Sequence, residues 1–219
     1  MKKTLKRLTF ILIISSLLLG GCTTPSEGSN EEVVEESEKK EIASDSKVVT
    51  INGKTFNEDD LEFYTLINKV KIQLQVAESN DEDQRTYYEE QLEYYDNINV
   101  NLQSLIELYA MSLLAEEKNY FVPDEKLQDA VKKFNEQVEN NEASISLIES
   151  YGREKYNRNI QEYVRQTMLR DRIAKELEEE VLKEKPDAEE AEISYFLEDK
   201  FEQLYAAQIA TLDMEIHLQ

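Results

Sequence analysis

The chain is poor in the residues that most enzymes use for chemistry. Its 219 residues include one cysteine, one histidine and no tryptophan. No nucleophile paired with a base, no metal-ligand cluster and no phosphate-binding loop is visible. We therefore expect no enzyme activity, no catalytic residue, no metal site and no cofactor, and we interpret His217 as incidental. A single cysteine cannot form an internal disulfide, so the core must be stable without one.

Positive charge is also scarce. Lysine and arginine number 25 against 47 aspartate and glutamate residues, which gives a formal charge of −22 at pH 7. Nucleic-acid binding depends on clustered cations, so we expect no nucleic-acid partner, and anionic lipid would repel the chain. Such a charge keeps a protein soluble and attracts positively charged clients, although salt weakens that attraction.

The first 22 residues have the layout of an export signal. Four basic residues precede an apolar run over 8–19, which is too short to cross a hydrocarbon core of roughly 30 Å. The run ends in Leu19, Gly20, Gly21 and Cys22. This ending resembles the lipobox of bacterial lipoproteins, which implies that Cys22 carries lipid and becomes the first mature residue. The alternative is an ordinary secreted protein with a chance cysteine at the cleavage site.

Composition divides the chain into three parts. Residues 1–21 are the predicted lipoprotein signal peptide. Residues 22–47 hold the lipidated Cys22 and an acidic stretch rich in serine with almost nothing to bury, which predicts a disordered tether. Residues 48–219 are long enough for one globular domain with a real core.

The whole chain has only five glycines and three prolines, so the sequence after residue 47 is interrupted at few places. A β-branched run over 48–51, the turn dipeptide Asn52-Gly53 and a short return strand over 54–56 predict a β-hairpin. Asn57 then looks like an N-cap. Apolar residues at helical spacing predict helices over 58–78, 82–119, 124–138, 143–151, 154–185 and 189–212, the second of them loosened or divided near 97–101. The predicted fold class is mainly α with a short N-terminal β-hairpin.

Three stretches resemble a known domain in their order and spacing. They are VVTINGKTFNEDDLEFY, LIELYAMSLLAEEKNYFVPDEKLQDAVKKF and YGREKYNRNIQEYVRQTMLRDRIAKELEEEV. Together, over about 47–195, they resemble the SurA-type N-terminal chaperone domain, which foldase lipoproteins of the PrsA type share in related form. The resemblance implies a helical domain that binds newly exported, unfolded polypeptides as a holdase or foldase.

One departure from that family affects the expected activity. Many relatives carry a glycine-rich parvulin prolyl isomerase module with histidines in its site. Here Gly152 is the only glycine after Gly53, and the sequence ends at Gln219. We therefore expect the parvulin module to be absent and do not carry its catalysis over.

Four tyrosines are the candidate client-binding residues. Tyr87, Tyr88, Tyr94 and Tyr95 occupy two neighbouring stripes of one predicted helix, and at most one stripe can comfortably face a core. The other could line a groove, where tyrosine binds varied peptides through its ring and hydroxyl. The alternative is that both pairs pack inside or bracket a partner helix.

The sequence therefore predicts a chaperone anchored by lipid to the extracytoplasmic face of the bacterial cell membrane. Its expected partners are unfolded or nascent exported polypeptides, bound without ATP. Two alternatives remain open. One is an interaction module for one specific membrane or cell-wall partner, and the other is a peptidyl-prolyl isomerase-related foldase with an unrecognised site.

Overall fold

A β-hairpin opens the part of the chain that the computed structural model describes, residues 46–218. Strands β1 (Lys47–Ile51) and β2 (Lys54–Asn57) pair antiparallel, as predicted. Asn52 and Gly53 join them with φ of 48° and 82°, the positive values that a type I′ turn requires. The predicted signal peptide, Cys22 and all but the last residues of the predicted tether lie outside the described residues.

A third strand, β3 (Met214–Ile216), pairs antiparallel with the other side of β1, which gives the strand order β2-β1-β3. The Asn52 N–H donates to the Asp213 carbonyl at 2.7 Å, and the His217 N–H donates to the Val48 carbonyl at 2.8 Å. The sequence predicted a last helix that extends to about residue 212 and β structure only at the N-terminal end. Instead, the chain forms β3 near the end of the described region, and β3 is hydrogen-bonded to β1 near its start.

Seven helices follow the hairpin within residues 46–218. They are α1 (Glu58–Glu78), α2 (Glu82–Tyr94), α3 (Ile98–Glu117), α4 (Asp124–Glu139), α5 (Glu142–Tyr151), α6 (Arg153–Glu184) and α7 (Glu190–Ile209). The mainly α prediction is confirmed. No helix in this part of the chain is both long and apolar enough to cross a membrane.

The start of α1 shows how local sequence fixes a helix. The Asn57 side chain accepts a hydrogen bond from the Asp60 N–H at 3.0 Å, and the Asp60 carboxylate accepts one from the Asn57 N–H at 2.9 Å. This reciprocal capping box satisfies two donors that would otherwise lack partners. The predicted N-cap at Asn57 is confirmed, and it sets the angle at which α1 leaves the hairpin.

Two other predicted helix ends differ in detail. Asp124 was the expected cap of α4, but Pro123 occupies the N-cap and Asp124 is the first helical residue. Proline offers no side-chain hydrogen bond, so the first turn relies on the negative charge of Asp124 beside the helix dipole. Gly152 ends α5 with a positive φ of 107°, but its ψ of 111° lies outside the left-handed helical region that we expected.

The core lies between α1, α3 and α6. Their innermost apolar residues are completely or almost completely buried: Ile67, Val70, Leu105, Met111, Leu169 and Ile173. Helices α4 and α5 pack beside α1 and α6, while α7 packs against α3 and the second half of α6. This arrangement leaves α2 in contact with α1 at the edge of the helical body.

Candidate functional site

Helix α2 is exceptional because none of its 13 residues is buried. Helices in globular proteins gain most of their stability from packing an apolar face, and isolated helices of this length are marginal in water. Helix α2 must therefore be stabilised by its ends and by partial contacts with α1. It presents side chains to solvent that a core helix would cover.

Polar contacts fix the first end of α2. The Asp81 carboxylate accepts hydrogen bonds from the N–H groups of Asp83 and Gln84, at 2.9 and 3.1 Å. The Arg85 guanidinium donates to the Ser79 carbonyl at 3.2 Å, and the Ser79 hydroxyl contacts the Gln84 side chain at 3.1 Å. The chain between α1 and α2 is therefore held in one conformation.

A second set of polar contacts separates α2 from α3. The Asn97 side chain caps α3 by accepting from the Asn99 N–H at 3.0 Å. The buried Asn101 side chain donates to the Tyr95 carbonyl at 2.8 Å and accepts from Asn68 on α1 at 3.1 Å. Two helices thus replace the single long one, at the place where the sequence predicted that the helix is loosened or divided. The Lys69–Asp96 ion pair secures the same corner.

The four predicted tyrosines fall into two unequal pairs, three of them within α2 and Tyr95 at its C-cap. Tyr87 and Tyr94 are 43% and 41% exposed, whereas Tyr88 and Tyr95 are half-buried. Each exposed ring contacts its sequence neighbour, with centroids 5.7 Å apart in both cases. The half-buried rings thus support the exposed ones. That these tyrosines bind clients stays a prediction.

Exposed apolar side chains are concentrated here. Of the seven large hydrophobic residues exposed within residues 46–218, three lie between positions 87 and 98: Tyr87, Tyr94 and Ile98. The other four are spread over a loop, the α6–α7 end and the sheet edge: Phe121, Leu182, Tyr195 and Ile216. We call Tyr87, Tyr94 and Ile98, with their supports Tyr88 and Tyr95, the tyrosine surface.

The tyrosine surface borders a half-buried carboxylate that the sequence analysis missed. Burial raises the pKa of Tyr95, and Tyr94, Tyr163 and Glu107 raise it further. Burial also raises the pKa of Tyr205 on α7 to about 12, with Glu107 adding to the rise. Glu107 lies on α3, and its charge acts on a tyrosine next to α2 and on one of α7. Its signal was available, since it is the only charged residue between positions 98 and 115.

Glu107 has no hydrogen bond or ion pair with any residue of the described region, although cations stand near it. Burial raises the pKa of its carboxyl, and the charges of Arg170 and Lys71 oppose that rise without cancelling it. Both cations have other partners: Arg170 pairs with Asp171 at 2.7 Å, and the Lys71 ammonium donates to the Tyr163 hydroxyl at 3.5 Å. The carboxylate is thus a destabilising group at neutral pH.

We expect Glu107→Gln to stabilise the fold above the pKa of that carboxyl. A carboxyl whose pKa is raised by folding stabilises the native state at low pH, and this contribution is lost as pH rises through the folded pKa. Thermal unfolding midpoints from about pH 4 to about pH 8 should therefore show the variant gaining over wild type as pH increases. Glu178→Gln, at an exposed position of α6, controls for loss of one charge. An equal gain in both variants would contradict a special role for burial at Glu107.

A small cavity lies away from the tyrosine surface, and its size and polar lining indicate a structural role and not a ligand site. It measures about 100 Å³ between the hairpin, α1 and α6, below the several hundred Å³ typical of ligand sites. The Tyr64 hydroxyl donates to Gln166 at 2.9 Å, and Gln166 donates to Glu162 at 2.9 Å, which Arg165 also binds. Burial would raise the pKa of Glu162, but Arg165 outweighs it and the pKa is lowered. These polar groups already satisfy one another.

Residues 46–218 contain few other groups that could bind a metal or support catalysis. No group of three or more potential metal ligands occurs in this part of the chain. The His217 ring nitrogen Nε2 lies 3.0 Å from the Thr50 hydroxyl, beside the sheet. The predicted lipidation site Cys22 and the lipobox residues before it lie outside the described residues.

Comparisons with protein-family models, with curated proteins and with solved structures find no match to this chain. The likeness to the SurA-type domain therefore rests on the sequence motifs alone.

Proposed function

We propose that this protein is a lipid-anchored chaperone that binds unfolded exported polypeptides outside the cytoplasmic membrane. The observation that carries the proposal is α2, a helix that buries no side chain and displays Tyr87 and Tyr94 to solvent. Exposed aromatic residues grouped on one element are typical of interaction surfaces. The lipobox-like sequence ending at Cys22 supports the location, and the SurA-like motifs support the activity.

The proposed mechanism needs neither ATP nor covalent chemistry. Unfolded chains aggregate through apolar segments that are transiently exposed. Weak binding of such segments to the tyrosine surface lowers their free concentration, and the client is released as it buries its own apolar surface. Tyrosine suits this task because its rigid ring contributes contact area at low entropic cost, while its hydroxyl accepts varied polar partners.

The activity is tested by diluting a denatured secreted protein into buffer with the chain from residue 23 onward, and recording light scattering. We expect scattering to fall as the chaperone is raised to several-fold molar excess over the client. A folded acidic protein of similar size serves as the control for nonspecific charge effects. Unchanged aggregation at that excess would contradict the proposal.

A further inference from the structure

The exposed face of α2 alternates carboxylates with aromatic rings. Asp83, Tyr87, Glu90 and Tyr94 follow one another at intervals of four, three and four residues, which places them along one side of the helix. All four side chains are exposed. The stripe therefore offers negative charge and π-faces in turn, on an element with no buried residue.

The carboxylates of α2 are not neutralised by any residue in 46–218. The side chains of Glu82, Asp83, Glu89, Glu90 and Glu93 are exposed and form no ion pair or hydrogen bond with any residue in 46–218. The one cation of α2, Arg85, is directed to the Ser79 carbonyl, and the nearby Lys69 is occupied by Asp96. The negative charge around the tyrosine surface is thus available to a partner.

We propose that the tyrosine surface selects cationic stretches of unfolded polypeptide, an inference that rests on the proposed function and names its client class. Lysine and arginine are attracted to tyrosine ring faces and to carboxylates, and their apolar stems also contact rings. Tyr87 and Tyr94 are seven residues apart on α2, a rise of about 10 Å, which a client in the polyproline II conformation spans in about three residues, one turn with both end side chains on the same side. Basic residues three positions apart therefore match the two rings.

Charge complementarity decides between the possible occupants. A second copy of this chain would bring together two identical surfaces of the same negative charge in a two-fold dimer, and these repel each other. Nucleic acid and anionic lipid carry the wrong sign for a helix whose five carboxylates have no partner among the described residues. A cationic polypeptide segment is the partner whose charge and apolar content both fit.

The inference is tested with three labelled, unstructured peptides that share an apolar pattern and carry lysine, glutamine or glutamate at every third position. Binding to the full chain in nanodiscs of uncharged phosphatidylcholine is followed by fluorescence anisotropy, against empty nanodiscs. At low salt we expect the lysine peptide to bind about tenfold more tightly than the glutamate peptide, and high salt to shrink that ratio.

The decisive variant removes the two negative charges of the α2 stripe. We expect Asp83→Asn with Glu90→Gln to weaken lysine-peptide binding about fivefold and to leave glutamine-peptide binding unchanged. The matched control, Glu178→Gln with Glu202→Gln, removes two exposed, unpaired carboxylates from α6 and α7 and should change neither. Circular dichroism confirms that both variants fold.

Each contrary result has its own meaning. Equal affinity for lysine and glutamate peptides, or equal weakening by the control variant, overturns the selectivity and leaves the proposed function standing. Failure of all three peptides to bind overturns both. A dimer in sedimentation that the Asp83→Asn, Glu90→Gln variant dissociates would assign the stripe to self-association and overturn the inference as well.

Discussion

Replacing Tyr87 and Tyr94 together by alanine is expected to abolish most of the suppression of client aggregation while the protein stays folded. Both rings are more than 40% exposed, and α2 has no residue in the core, so their removal leaves no internal cavity. We expect a stability loss below about 1 kcal/mol for the pair, because α2 is held by its caps. Light scattering with a denatured client, beside urea unfolding curves, measures both quantities.

The chain offers a matched control for this prediction. Phe121 and Tyr195 are 81% and 66% exposed, more than either tyrosine of α2, and they lie on other elements. If exposed aromatic area alone were responsible, Phe121→Ala with Tyr195→Ala would lose at least as much activity. Our account expects this control to retain it. Full activity in the Tyr87→Ala, Tyr94→Ala variant would exclude the tyrosine surface as the client site.

The second large effect concerns stability and comes from β3. Glu215→Pro is expected to lower the free energy of unfolding by about 2–3 kcal/mol, although the Glu215 side chain is exposed. Hydrogen bonds join His217 to Val48 and Asn52 to Asp213, and alternate residues of an antiparallel strand point the same way. The Glu215 N–H therefore faces Thr50 on β1. Proline removes that donor and disrupts the pairing on both sides.

Ile216→Pro is the control that separates the loss of a hydrogen bond to β1 from the other effects of introducing proline into β3. The Ile216 N–H points to the free edge of the sheet, where proline is tolerated, and its side chain is 53% exposed. We expect this variant to lose much less stability than Glu215→Pro, and Glu215→Ala to lose less than about 0.5 kcal/mol. Equal losses from the two proline variants in urea titrations would show that β3 contributes little through its pairing with β1.

Features set by neighbouring residues could be predicted from the sequence. The Asn52-Gly53 turn and the Asn57 capping box follow from the conformational preferences of a few adjacent residues, and both appear in the structure. The same holds for the helical periodicity of α1 and α6. The place of the break between α2 and α3 was predicted, but not whether the helix loosens or divides there, because the cause includes the long-range contact from Asn68 to Asn101.

Features that depend on tertiary packing could not be predicted from the sequence. Strand β3 has three residues, too few for an alternating pattern, and it exists because β1 offers a free edge. Which tyrosine stripe is exposed depends on how α2 lies against α1. Glu107 was visible as a lone charge in an apolar helix, but its burial and its effect on the pKa values of Tyr95 and Tyr205 follow from tertiary packing.

The stability of α2 and its proposed activity have a common physical origin. Caps and polar side chains hold both ends of the helix, through Asp81 at the start and Asn101 and Lys69 at the end. The helix therefore stays folded although Tyr87 and Tyr94 are exposed. A rigid, uncovered face lowers the entropic cost of binding, because the surface is already ordered before the client arrives.

The most direct test of the central claim is crosslinking from α2 in bacterial cells. A photoreactive residue in place of Glu90, which lies between Tyr87 and Tyr94 on the exposed stripe of α2, should capture many different exported polypeptides and give a ladder of adducts. The same residue in place of Glu178 on α6 should give few. A single dominant adduct from position 90 would assign the surface to one dedicated partner, and the absence of adducts there would contradict client binding by α2.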